Sequence, residues 1–220
     1  MKLYIIRHGE TGWNKSLRLQ GQTDIALNDN GRLLAQVTAR ALQNVSFDFC
    51  ITSPLLRAKE TAQIVLDGRP VPIFEDERIQ EIGFGTYEGK RVKNEIGVIT
   101  DPVFENFFHR PAAYQPPEGG ETLQEFCARV ASFLKELAEN PDFAQKTILV
   151  STHGAASRAM LTVIKQHDMD DFWDVGVPPN CAVTIAEYDV NPNLQTCHSS
   201  TNAAPCWVIK EQDKIYYENS

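Results

Sequence analysis

The sequence predicts an α/β protein: a three-layer α/β/α sandwich around a mostly parallel, mixed sheet. Three observations carry this. Short apolar runs at residues 2–6, 48–52 and 147–151 alternate with stretches of helical spacing, the order that builds parallel strands joined by crossover helices. Two of those runs end alike, in Arg7-His8-Gly9 and Thr152-His153-Gly154. A length of 220 residues suits one domain, with room for a small insertion.

Residues 2–6 empty abruptly into Arg-His-Gly, as a buried strand does where it meets a loop. Asn28-Asp29-Asn30-Gly31 is turn chemistry, and Asn28 or Asp29 could cap a helix over 31–44, where Leu34, Val37, Ala41 and Leu42 have helical spacing. Residues 48–52 form a second buried strand. Ser53-Pro54 opens a helix to about Leu66, with proline near the first turn. Residues 72–75 make a third, shorter strand.

Residues 83–120 interrupt the alternation. Gly83, Gly85 and Gly89 break regular structure, and Phe104, Phe107, Phe108 and Tyr114 follow among Pro111, Pro116 and Pro117. This is an inserted lid or cap segment with one or two short helices. Its aromatics are either an apolar wall for substrate or a small satellite core. Thr122 and Glu125 have capping-box spacing for a helix to about Asn140. Residues 147–151 are a strand, and 155–166 a helix with Met160, Leu161 and Ile164 inward. Residues 182–188 and 206–210 are closing strands, joined by a polar loop over 191–205.

Composition removes several function classes. Lys and Arg total 21 against 29 Asp and Glu, a formal net charge of −8. That excludes a broad basic surface, and with it nucleic acid or an anionic membrane as the main partner. No apolar run is long enough to span a bilayer, and the N-terminal run is too short for a signal peptide. Five cysteines, odd in number and without a CxxC, fit free thiols in a reducing cytoplasm, although Cys197 and Cys206 share a loop region and could pair.

The charge does not exclude a small anionic substrate. In such sheets the loops at the carboxyl ends of strands collect along one edge, so chain order alone brings His8 and His153 together. Arg7 stands beside His8, and arginine makes bidentate bonds to phosphate. Arg57 lies one turn into the helix after Ser53-Pro54, where guanidinium and helix N-terminus both favour an anion. Glu81 follows the third strand, where a carboxyl group among arginines can protonate a leaving alkoxide. The picture is an acidic shell around a small basic pocket.

Together these pieces resemble the histidine phosphatase superfamily, also called phosphoglycerate mutase-like. The resemblance rests on RHGET, WN, QG, SPLLRAKETA, DERIQEIGFGTYEG, PEGGET and VSTHG, over about residues 1–165. It implies phosphoryl transfer from a small phosphomonoester through a phosphohistidine on His8. Arg7, Arg57 and His153 would hold the phosphoryl oxygens, and Asn14, Gln20 and the Gly154 N–H would add hydrogen bonds; Gln20 reads equally well as a polar loop residue. Glu81 aligns with the family's proton donor. No metal and no cofactor are expected. Glu10 reads as a supporting residue, Trp13 as packing, and His109 with Arg110 as a solvated pair. A monomer or a homodimer fits.

The family divides between mutases and phosphatases. Cofactor-dependent mutases resemble one another in an Arg-His-Tyr-Gly run after the acid, a paired arginine in the insertion and Asn after the second His-Gly. Here Ile82-Gly83-Phe84-Gly85 follows Glu81, Arg91 and Arg110 stand singly, and Ala155 follows Gly154. Hydrolysis is therefore expected, with phosphoglycerate mutase activity as the alternative. A third possibility, an inactive phosphate-binding module, predicts a damaged set of residues, and the set is intact.

Overall fold

A computed structural model describes residues 1–91, 102–189 and 206–218. Its sheet consists of β1 (Lys2–Arg7), β2 (Phe49–Thr52), β3 (Ile73–Glu75), β4 (Thr147–Thr152), β5 (Val183–Asp189) and β6 (Cys206–Lys214), paired in the order β3-β2-β4-β1-β5-β6. β3, β2, β4 and β1 pair in parallel, while β5 is antiparallel to both its neighbours. The helices are α1 (Gly12–Lys15), α2 (Asp29–Ala41), α3 (Leu56–Leu66), α4 (Pro102–His109), α5 (Leu123–Glu139) and α6 (Gly154–Lys165).

Side chains alternate across the strands and separate two cores. Ile6, Cys50, Leu149 and Val183 pack with Ala35 and Leu42 near α2 and Ala62, Val65 and Leu66 of α3. Leu3, Ile5, Ile51, Ile148 and Val150 pack on the other face with Phe126, Val130 and Phe133 of α5 and Ala156, Ala159 and Met160 of α6. This is the expected three-layer arrangement.

Three local differences have physical reasons. α3 begins at Leu56, not at Ser53-Pro54. Ser53 Oγ accepts from the Leu55 N–H (3.3 Å), and the Leu56 N–H is capped from a distant loop by Asp24 Oδ1 (2.7 Å). α1 is too short for periodicity to reveal, yet Thr11 and Asn14 form a reciprocal capping box. β6 continues to Lys214 despite the charged run Lys210–Lys214, because β5 goes on pairing with it, through two register shifts, as far as Val183 opposite Lys214.

The described part of the excursion is built as a core. Phe104, Phe107 and Tyr114 are buried with Phe84 in the α5–α6 layer. Phe107 lies 5.2 Å from Phe84, 5.0 Å from Tyr114 and 5.3 Å from Trp173, ring centre to ring centre. Of the two readings of these aromatics, the satellite core is the one their burial fits. Residues 191–205 and the side chains of Cys197 and Cys206 lie outside the described residues. No described helix is long and apolar enough to cross a membrane.

Candidate active site

β1 and β4 are adjacent and parallel, with Arg7 opposite Thr152. The two histidines that follow them therefore leave the sheet side by side, their ring centres 5.2 Å apart. β2, the other neighbour of β4, leads into α3 and supplies Arg57.

His8 is buried, and its Nδ1 lies 2.7 Å from the carbonyl oxygen of Gly9. A carbonyl can only accept, so Nδ1 carries the proton and Nε2 keeps its lone pair. Burial, followed by the charges of Arg57 and Arg7, pushes the His8 pKa well below the ordinary histidine range. The ring is therefore neutral, with the Nε2 lone pair free. Its main chain is held by its own N–H to Thr152 O (2.9 Å) and by Asn180 Nδ2 donating to His8 O (3.0 Å). The Gly9 N–H donates to Thr61 Oγ1 (2.9 Å), whose hydroxyl donates to Arg57 O (2.7 Å), so the His8 turn is tied directly to α3.

Arg57 is fully buried. Its Nε donates to His153 Nδ1 (3.2 Å), Nη1 to Thr23 O (2.9 Å) and Nη2 to Gly21 O (2.7 Å). Three of five N–H groups are fixed on the protein, which orients the fork and leaves two for an anion. Burial lowers its pKa to about 10, so it remains charged at neutral pH. Arg7 is half-buried. Its Nη1 donates to Pro178 O, and its buried Nε has no partner among the described residues.

His153 stands beside His8 as expected, and its ring is held by protein. With Nδ1 accepting from Arg57, Nε2 carries the proton and faces Ser53 Oγ at 2.8 Å. Both ring nitrogens are thus engaged by protein. The ring is neutral, since burial and the charge of Arg57 lower its pKa well below the usual range.

Glu81 is 9% exposed, and its carboxyl group lies on the first turn of α6. Oε2 accepts from the Ala155 N–H (3.1 Å); Oε1 accepts from Ala156 N–H (3.1 Å) and Ile82 N–H (3.1 Å). Burial raises its pKa above the ordinary carboxylate value, against the opposing pull of these donors and of Arg57 and Arg7. The Gly154 N–H is outside these bonds. Asn14 Oδ1 accepts from Thr11 N–H (3.1 Å), and Gln20 Oε1 lies 3.0 Å from Thr11 Oγ1. Each amide so held by its oxygen has its NH2 group as the remaining donor.

Arg7, His8, Arg57, Glu81 and His153 thus converge at one sheet edge, with Asn14 and Gln20 beside them through Thr11. Glu10 accepts from Asn28 Nδ2 (2.7 Å), and His109 and Arg110 are exposed. Thr61 and Asn180 were not singled out from the sequence. Thr61 lies within SPLLRAKETA, but Asn180 follows two prolines in a loop with no signal of its own. Among the described residues no three His, Cys, Asp or Glu side chains converge as a metal site would require.

The family model of the histidine phosphatase superfamily (branch 1) matches residues 3–198. The chain belongs to this superfamily. It is 34% identical to the uncharacterized phosphatase PhoE of Bacillus subtilis (strain 168) over 164 residues, 74% of this chain and 77% of PhoE. It is 28% identical to the probable phosphoglycerate mutase GpmB of Enterobacter sp. (strain 638) over 207 residues, 88% of each. The solved structure of Bacillus stearothermophilus YhfR superposes with a TM-score of 0.81 at 31% identity, covering 95% of this chain and 96% of YhfR. This histidine phosphatase superfamily member is an enzyme with phosphatase or phosphoglycerate mutase-like activity.

Proposed function

We propose that the chain is a metal-independent phosphomonoester hydrolase that works through a phosphohistidine on His8. The observation that carries this reading is the Nδ1 bond of His8 to the Gly9 carbonyl, which fixes the nucleophilic tautomer among two arginines.

His8 Nε2 attacks phosphorus and the ester P–O bond breaks. The Glu81 carboxyl passes its proton to the departing alkoxide. Arg7 and the two remaining Arg57 N–H groups bind the phosphoryl oxygens, with Asn14, Gln20 and the Gly154 N–H as further donors. Water then attacks the phosphohistidine, its proton returns to Glu81, and orthophosphate leaves. His153 serves this reaction by orienting Arg57 and completing the phosphate pocket. Burial favours the protonated form of Glu81, as a general acid requires. A mutase must also grip a carboxylate and a second phosphate while its intermediate reorients, and the single Arg91 and Arg110 fit that task poorly.

The test is a panel of aryl and alkyl phosphomonoesters together with 3-phosphoglycerate and a bisphosphoglycerate primer, each with and without EDTA. Orthophosphate release insensitive to EDTA is the expected result. Interconversion of phosphoglycerates faster than orthophosphate release would establish the mutase instead. Loss of activity in EDTA with recovery in Mg²⁺ or Mn²⁺ would overturn metal independence. Binding without turnover would leave a phosphate-binding module.

A further inference from the structure

Glu81 lies on a stretch between β3 and the excursion that has no helix or strand of its own at 80–83. A general acid needs a fixed aim, so something else must hold this main chain. Arg129 of α5 does so with all five of its N–H groups. Nη1 donates to Arg78 O (2.7 Å) and Gln80 O (3.0 Å), and Nη2 donates to Glu81 O (3.0 Å). The remaining two go to Glu121, from Nε to Oε1 (2.7 Å) and from Nη2 to Oε2 (2.9 Å).

Glu121 extends the grip past Glu81. Its Oε2 accepts from the Gly83 N–H (3.3 Å), and its own N–H donates to Gly83 O (2.8 Å). The guanidinium also lies over the Phe126 ring, 4.6 Å from its centre, which keeps it on the α5 core. The main chain is therefore pinned on both sides of the acid, at 78–81 and at 83, by one ion pair. That pair also closes the stem of the excursion, where Phe84 bridges Gly120 and the Thr86 N–H donates to Glu118 O (3.0 Å).

We propose that Arg129 and Glu121 are positioning residues for Glu81. They fix the peptides that aim its carboxyl at the leaving group, and they act through Glu81, not on the phosphoryl group. The inference rests on Glu81 being the general acid. A mere structural ion pair would lower stability and slow all substrates alike. A positioning pair acts where proton donation matters, on poor leaving groups, because a misplacement of about 1 Å can cost about 10²-fold in rate.

The experiment compares Arg129→Lys and Glu121→Gln with Glu81→Gln, using para-nitrophenyl phosphate and an alkyl phosphate such as glycerol phosphate. Expected are losses in kcat/KM, which reports the steps up to phosphohistidine formation, of about 10- to 100-fold on the alkyl ester and less than about 3-fold on the aryl ester. Glu121→Gln is nearly isosteric and carries the test if Arg129→Lys does not fold. Equal losses on both esters, or wild-type kinetics in either folded variant, overturn the proposal. If Glu81→Gln shows the ester selectivity and the other two do not, positioning fails alone. If Glu81→Gln shows none, the acid assignment fails and takes this proposal with it.

Discussion

The two His-Gly turns share a dipeptide, a position after a parallel strand and deep burial, yet their chemistry differs. At His8 the ring turns back on its own turn, so that Nδ1 meets the Gly9 carbonyl and Nε2 is left for reaction. At His153 the ring lies between Arg57 and Ser53, with neither nitrogen left over. The glycines differ as well. A Cβ on Gly9 would lie 2.5 Å from Gly31 O, a main-chain atom that cannot move aside, whereas one on Gly154 would make only ordinary contacts with Val177 and Arg7. The same letters therefore encode a ring with a free Nε2, the nucleophile of the proposed reaction, in a turn only glycine fits, and a neutral brace for an arginine at the head of a helix.

The sharpest way to break this contrast is to remove each ring. His8→Ala should lower kcat at least about 10³-fold, and His153→Ala about 10- to 100-fold through a loosened Arg57. Reactions with labelled substrate, quenched in alkaline detergent so that the acid-labile P–N bond survives, should trap phosphoenzyme in His153→Ala and none in His8→Ala. Label surviving in His8→Ala, or lost only in His153→Ala, would reverse the assignment.

The glycines give a smaller effect, read in stability. Gly9→Ala should cost roughly 1–3 kcal/mol because its methyl meets backbone. Gly154→Ala should stay within about 0.5 kcal/mol. Urea unfolding of the two variants distinguishes them, and equal midpoints would remove the steric half of the comparison.

How much of this could be read in the sequence follows from what each feature depends on. The strands at 2–6 and 147–151 were legible because burial on both faces leaves continuous apolar runs. Their adjacency followed from the edge rule, which is why Arg7, His8 and His153 could be placed together. The Thr122–Glu125 capping box was legible because cap and partner are three residues apart. Illegible were the bonds that join distant segments. Asp24 capping α3, Asn180 holding the His8 carbonyl and Arg129 gripping 78–81 carry no local periodicity. His153 shows the same limit at the level of one ring. Its presence could be read from its motif, but the direction of its two nitrogens depends on Arg57 and Ser53, 96 and 100 residues away.

The smallest expected effect concerns what the two rings share. Burial lowers both histidine pKa values well below the ordinary range in the folded chain. The unfolded chain binds protons at these rings below about pH 6.5, while the folded chain does not, so stability is full above that pH and is lost as pH falls. Glu81 acts with the opposite sign, since its raised pKa makes the folded state hold a proton more tightly as pH drops. The two rings thus pull Tm down between pH 7 and pH 5, and Glu81 opposes them. His153→Gln keeps an acceptor and a donor in the ring's place without a titrating group. It should flatten the Tm profile in that window by removing half of the rings' share if the two contribute alike, which is more than half of any net fall because Glu81 still opposes. An unchanged slope in His153→Gln would mean that this ring gains its proton in the folded protein too, and the two turns would then differ in charge as well as in direction.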